Sequence, residues 1–297
     1  MLATIIVNYK NETNTIEYIK NQLSKCSLKN IVIVINNGAD NESNKKLIDE
    51  LHAEMVFDID QQIDIKKTVY VIVLERNLGF AKANNIGVEF LRKNFDIKYL
   101  LFSNNDIEFN EGNVIELLID KIKSIDEVAV IGPKVIGLNG EFQSPEPYIP
   151  FWKKYFFIFW LTPFITKKIK NKLFNIDYSL KAKEGIHYKL MGSFLLIKIE
   201  DFINCGMMDE NTFLFAEETI LTERLSKIGK YMYYYPQVSV LHRHSETISK
   251  FYNERKKMML QFKSESYYYA SYIGISRFSM FIGKLSTELY CLIKYRK

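Results

Sequence analysis

The sequence predicts an α/β fold, a mostly parallel sheet followed by a helical C-terminal extension. Three observations predict it. Short apolar strands alternate with helical stretches through the first half. One of those strands, residues 31–35, is a continuous β-branched run, as expected for a strand buried on both faces. Several end in polar clusters, at the carboxyl edge where open parallel sheets bind their ligands.

Taken in order, residues 3–8 read as the first strand, and residues 14–23 as a helix capped by Asn11 or Thr13. Residues 31–35 form an unbroken β-branched strand that Asn36-Asn37-Gly38 terminates. A helix over residues 44–54, a strand over 69–74, a helix over 80–93 and a strand over 99–102 follow. The second half changes character. Pro145, Pro147 and Pro150 punctuate a loop, and residues 151–174 then mix aromatics with lysines. Residues 191–199 are an apolar strand introduced by Gly192-Ser193, and residues 217–227 a helix. Residues 231–241 contain a Tyr-rich strand ending at Pro236, and from about residue 251 the chain is helical, aromatic and basic.

With 297 residues, 47% of them hydrophobic, the chain can bury a sizeable core. A net charge of +5 is too small to imply nucleic acid, and none is expected as a partner. Cys26, Cys205 and Cys291 lie far apart without ligand spacing, which points to a reducing, cytoplasmic setting. No signal peptide is expected, since Met1-Leu2-Ala3 leads straight into a strand. The longest apolar run, residues 155–165, is too short to span a bilayer, which takes about 20 residues.

Four segments carry candidate chemistry. Ser103-Asn104-Asn105-Asp106 ends a buried strand with two amides and a carboxylate, oxygen donors of the kind hard cations take. Asn77, Gly79 and Asn84 fall in Arg76-Asn77-Leu78-Gly79-Phe80-Ala81-Lys82-Ala83-Asn84-Asn85-Ile86-Gly87, which follows a strand and opens a helix. Backbone N–H groups freed there suit an anion. Phe213-Leu214-Phe215-Ala216-Glu217-Glu218 puts two carboxylates at a helix entrance, where they compensate the dipole or serve as a general base. His242 and Arg243 follow a strand, one suited to completing a metal shell begun by Asp106, the other to facing phosphate.

In this order the segments resemble family-two inverting glycosyltransferases, over about residues 3–248, in the bacterial rhamnosyl- and galactofuranosyl-transferase-like branch. The resemblance lies in Thr4-Ile5-Ile6-Val7-Asn8-Tyr9, Val34-Ile35-Asn36-Asn37-Gly38, the segment from Arg76 to Gly87, and Asn104-Asn105-Asp106. It continues through Gly192-Ser193-Phe194, Gly206 with Asp209-Glu210, the segment from Phe213 to Glu218, Arg224 and His242. It implies a GT-A fold with a Rossmann-like sheet, in which residues 1–248 are the transferase domain. Residues 1–110 would be the nucleotide-sugar half, 111–248 the acceptor half, and 249–297 an aromatic and basic helical extension.

By that resemblance Asn8, Asn36, Asn37, Asn77, Gly79, Asn84, Asn104 and Asn105 fall to the donor. Gly192, Ser193, Asp209 and Arg243 fall to the acceptor side. Asp106, with Asn104 and His242, would hold a divalent metal, Mn²⁺ or Mg²⁺. Glu218, with Glu217 beside it, would be the catalytic base. The implied partners are a UDP- or dTDP-linked sugar and a glycan or lipid-linked acceptor in surface polysaccharide synthesis. Amides at positions 36 and 104, where the family commonly has Asp, motivate an alternative: a non-catalytic nucleotide-binding subunit of a glycan-assembly complex. The aromatic-basic segments suit either the inner face of the cell membrane, bound peripherally, or a homodimer interface.

Overall fold

A computed structural model describes residues 1–38, 40–158, 160, 182–243 and 253–294. Strand β1 (Leu2–Asn8) is flanked in parallel by β2 (Asn30–Asn37) and β5 (Tyr99–Ser103). Beyond β2, strands β4 (Val69–Leu74) and β3 (Glu54–Val56) continue the parallel half. Past β5 the pairing changes. Strand β9 (Phe194–Lys198) runs antiparallel to both β5 and β7 (Val128–Gly137), while β10 (Tyr231–His242) is parallel to β7. Two short strands, β6 (Ile107–Phe109) and β8 (Gly185–His187), pair antiparallel with β10. The strand order β3-β4-β2-β1-β5-β9-β7-β10-β6 makes a mixed, mostly parallel sheet.

Strand β2 illustrates why the apolar runs are continuous. Its Ile31, Ile33 and Ile35 join Ile5 and the α3 (Phe80–Asn94) residues Phe90 and Leu91 in one core. Val32 and Val34 join Ile6 in a second core on the other face. There Ile16 of α1 (Glu12–Asn21), Leu47 of α2 (Asn41–Leu51) and Leu118 of α4 (Val114–Lys123) pack on it. Period-two side chains covered on both faces leave no polar positions within the strand.

Several elements differ from the sequence expectation for identifiable reasons. Helix α2 starts three residues before the expected position 44, because Asp40 caps it by accepting from Ser43 N at 2.9 Å. Asn11 sits at the N-cap of α1 without a side-chain cap bond. Strand β10 does not stop at Pro236; a register shift between Tyr235 and Ser239 carries the proline through. Strand β7 is unexpected because Pro133 interrupts its apolar run. Its pairing with β9 is confined to Val130 and Ile131, so the missing donor of Pro133 disrupts no ladder there. Strands β3, β6 and β8 have only 3 residues each, too few for a periodic signal.

After β9 come α5 (Ile199–Asn204) and α6 (Glu217–Ser226), then α7 (Glu254–Ser271) and α8 (Arg277–Lys294). A third core joins Phe262, Tyr268 and Tyr269 of α7 to Phe151, Tyr155 and the α6 residue Ile220. Most of the aromatic-lysine stretch 151–174 and of the apolar run 155–165 lies outside the described residues, as do residues 251 and 252 at the start of the expected C-terminal helix. Among the described residues no helix is long and apolar enough to cross a membrane.

Candidate functional site

A cavity of about 460 Å³ opens at the carboxyl ends of the parallel strands. Asn37, Asn77 and Gly79 line one side, and Asn104, Asn105 and Asp106 come from the turn after β5. Gly192, Ser193, Glu217, Glu218 and His242 complete it. The tertiary fold thus brings most of the candidate residues to one cavity.

Asn37 organises the donor-side wall. Its Nδ2 donates to Asn77 Oδ1 at 3.0 Å, and its Oδ1 accepts from Leu78 N at 2.8 Å. Asn77 Oδ1 also accepts from Gly79 N at 2.9 Å. Phe80 N, at the start of α3, donates to Phe213 O at 2.9 Å. The N–H groups of Leu78, Gly79 and Phe80 are therefore engaged within the protein. This corrects the expectation that they stand free for an anion. Gly79 serves contact instead: at φ +86° its missing Cβ would lie 2.4 Å from Phe213 O. The turn before α3 and the loop leading to the acidic pair can thus touch.

That loop is bent by two consecutive left-handed residues, Phe215 (φ 73°) and Ala216 (φ 69°). Non-glycine residues in this region are strained, and such strain gathers at functional sites. The bend delivers Glu217 and Glu218 at the first turn of α6. Glu217 is 3% exposed and its Oε1 has no hydrogen-bond partner among the described residues. Burial, reinforced by the neighbouring Glu218 charge, pushes its carboxyl up to about 8. Glu218 lies against Gly192, where a Cβ would come within 2.0 Å of Glu218 Oε1. Burial opposes the charge on Lys189, but Glu146, 2.9 Å from its Nζ, and Glu218 outweigh burial and hold the ammonium well above its usual range.

The Asp106–His242 contact follows from strand register. In the antiparallel β6–β10 pair His242 stands opposite Ile107, and Arg243 N donates to Asp106 O at 2.9 Å. Gln143 Nε2 donates to Glu141 Oε1 at 3.2 Å, which turns Gln143 Oε1 toward His242 Nδ1 at 2.7 Å. The other ring nitrogen, Nε2, stands 3.2 Å from Asp106 Oδ1. Asp106 Oδ1 is buried and receives no hydrogen bond from the described residues. Asp106 Oδ1 and His242 Nε2 are an oxygen and an imidazole nitrogen, donor types that divalent cations take. Among the described residues no group of three or more His, Cys, Asp or Glu side chains could hold a metal. The two side chains fit a cation whose remaining ligands are phosphate oxygens and waters, the usual state of Mg²⁺.

Other candidates stand away from the cavity. Asn8 and Asn36 are fully buried and bond each other at 2.8 Å; Asn8 also meets Glu12 and Thr15, and Asn36 meets Asn44. Asn84 donates to Phe80 O at 2.9 Å within α3. Asp209 is held in a knot by Tyr272 OH at 2.6 Å, Tyr267 OH at 2.9 Å and Arg224 at 3.1 Å. Burial disfavours its charge, yet the hydrogen bonds from Tyr272, Asn211 and Tyr267 prevail and keep its carboxyl below the usual range. Arg243 is exposed and pairs with Glu108. None of these five lines the cavity.

The opposite wall holds residues that sequence reasoning missed. Lys154 Nζ meets Glu265 Oε1 at 2.6 Å, and Tyr155 OH donates to Glu265 Oε2 at 2.6 Å. Tyr148, Tyr188, Tyr268 and Tyr269 add aromatic surface. Their signal was compositional: a tyrosine-rich C-terminal stretch and lysines set among aromatics, without a spacing that ties them to a site.

The model of the family described as Glycosyl transferase family 2 matches residues 4–180. The chain is 25% identical over 172 residues to Rhamnosyltransferase WbbL of Escherichia coli (strain K12), covering 55% of this chain and 60% of that protein. It is 25% identical over 219 residues to the Low-salt glycan biosynthesis hexosyltransferase Agl10 of Haloferax volcanii, covering 73% and 59%. The chain thus spans about three fifths of the length of these relatives. The mannosyltransferase PcManGT from Pyrobaculum calidifontis, solved with GDP-Man and Mn²⁺, superposes with a TM-score of 0.58 at 7% identity, over 99% of this chain and 75% of that one. GalNAc-T7, solved with UDP, GalNAc and Mn²⁺, gives 0.57 at 16% identity, over 91% and 50%. These likenesses show the GT-A fold.

Proposed function

This chain belongs to glycosyl transferase family 2, and we propose that its cavity transfers a hexosyl or deoxyhexosyl group from a nucleotide-diphosphate sugar. The donor is UDP- or dTDP-linked, and the acceptor is a hydroxyl of a glycan or lipid-linked glycan at the cytoplasmic side of the cell membrane, in surface polysaccharide synthesis. One observation carries the reading: a carboxylate pair, Glu217 and Glu218, lines the same cavity as the Asp106–His242 pair. Residues 1–248 form the transferase unit in this reading, with donor half 1–110 and acceptor half 111–248. The extension 249–297 takes part too, since Gln261, Glu265, Tyr268 and Tyr269 of α7 line the cavity.

The reaction is a single displacement with inversion. The acceptor oxygen attacks the anomeric carbon as the bond from that carbon to the diphosphate breaks. The diphosphate leaves with the electron pair, and Glu218 takes the acceptor proton. Glu217 is held protonated by burial and by the neighbouring Glu218 charge. Gly192 gives the Glu218 carboxylate its room, and Lys189 balances its charge. Asp106 and His242, with Asn104 alongside, would hold Mn²⁺ or Mg²⁺, which neutralises charge on the leaving diphosphate.

The test is turnover of UDP- and dTDP-sugars with Mn²⁺, comparing the natural protein with Glu218→Gln. The natural protein is expected to release nucleoside diphosphate. Glu218→Gln is expected to bind the donor normally and turn over at least about 10²-fold more slowly. Equal turnover by the variant removes Glu218 from the base role. Donor binding without turnover by the natural protein, across a broad acceptor panel, favours a non-catalytic nucleotide-binding subunit instead.

A further inference from the structure

Helix α8 reverses the usual polarity of a surface helix. Gly283, Ser286, Thr287 and Cys291 face inward with Tyr290, whereas Phe278, Phe281, Leu285, Leu289, Leu292 and Ile293 are 46–72% exposed. At 3.6 residues per turn those six share about a third of the circumference. The inward contacts are specific. A Cβ on Gly283 would lie 2.4 Å from the Phe151 ring, and Ser286 Oγ donates to Tyr155 O at 2.7 Å. Trp160 Nε1 donates in turn to Ser286 Oγ at 2.9 Å. Small residues packed on protein with large apolar ones turned outward is the pattern of a helix whose outer medium is apolar.

Beside this stripe lies a groove between α7 and α8, lined by Lys256, Lys263 and Lys284 with Phe213, Met259 and Leu260. Among the described residues no carboxylate lines it, and Glu288 Oε1 stands 3.9 Å from Lys284 Nζ at its edge. Ser266 Oγ on the groove wall is buried and has no hydrogen-bond partner among the described residues. Phe213 also lines the main cavity, so the groove adjoins the site.

We propose that the α7–α8 face binds the surface of an anionic phospholipid bilayer. The α8 stripe enters the boundary between headgroups and acyl chains, and the lysine groove takes a lipid phosphate. A stripe of aromatic and branched aliphatic side chains beside a cationic groove matches that surface in both polarity and charge. The helix lies on the bilayer and does not cross it. The consequence that a lipid-linked acceptor reaches the cavity past Phe213 rests on the transferase reading; the binding itself does not.

The test is co-sedimentation of the full chain, without donor, with phosphatidylcholine vesicles containing about one third phosphatidylglycerol. The protein is expected to sediment at 0.1 M salt and to be released at 1 M, where the Debye length falls from about 10 to about 3 Å. Phe281→Ser/Leu289→Ser changes only exposed side chains, so its fold is expected to survive. It should weaken binding about 10-fold or more on every vesicle. Lys263→Gln/Lys284→Gln should weaken binding about 30-fold on anionic vesicles alone, at about 1 kcal/mol per lysine. Failure of the natural protein to sediment, or natural affinity in both variants, overturns the proposal. So does a concentration-dependent dimer that Phe281→Ser/Leu289→Ser abolishes, since a second copy then covers the face. Vesicle binding by a protein inactive with every donor supports this proposal and removes the transferase reading, whereas turnover on a soluble acceptor without vesicle binding does the reverse.

Discussion

Gly192→Ala separates the placement of the proposed base from the integrity of the fold. The added Cβ would stand 2.0 Å from Glu218 Oε1, whereas ordinary contact begins at 3.4 Å. The carboxylate must therefore retreat by about 1.4 Å, and a misplacement of about 1 Å costs roughly 10²-fold in rate. The three nearest atoms all belong to the Glu218 side chain, and Gly192 is not a left-handed glycine, so little backbone strain is expected. Stability should change by less than about 1 kcal/mol. The assay is steady-state turnover with donor and acceptor, alongside urea unfolding. The expected result is a kcat lowered about 10²-fold with KM for the donor little changed. A kcat within a few-fold of the natural protein refutes the positioning argument. So does a KM effect without a kcat effect.

Three further outcomes follow from the same structure. Glu217 has a folded pKa of about 8 against an ordinary 4.5, so its protonated form is favoured by folding and stability falls as pH rises through that window. Glu217→Gln removes the slope; relative to the natural protein it should gain about 1.4 kcal/mol per pH unit between pH 5 and 8, and a pH-independent difference in urea unfolding refutes the assignment. Gly79→Ala forces a Cβ onto Phe213 O at 2.4 Å in a left-handed backbone, and should cost at least about 1–3 kcal/mol while weakening donor binding by calorimetry; unchanged binding and stability would sever the proposed link between the two loops. Asp209→Ala leaves Arg224 half-buried without its carboxylate and should cost about 3–5 kcal/mol in thermal or urea unfolding. A loss below about 1 kcal/mol would show that the knot is not structural.

The resemblance made the family legible from sequence, but the legibility of individual residues depended on how locally they are defined. Asn37, Asn104, Asp106, Gly192 and His242 line the cavity because each sits at a strand end or turn, and strand ends can be read from a buried run meeting a polar break. Asn8 and Asn36 also end strands, yet they face each other behind the wall. The same amide can bind a ligand or another amide, and pattern alone does not distinguish the two. Asp209 joins a motif adjacent to the acidic pair, but the direction of its side chain is set by Tyr267, Tyr272 and Arg224.

The sequence by itself determined the alternation of strands and helices, the two-sided burial of the sheet and the polar edge where a ligand belongs. These follow from side-chain period and turn chemistry, which act over a few residues. Only the tertiary structure decided which polar groups meet. The β6–β10 register brings His242 to Asp106, the Gly79 turn docks on Phe213, and α7 supplies the far wall of the cavity. Those contacts join residues far apart in the chain, and their partners are chosen by packing of whole elements, a choice no local window records.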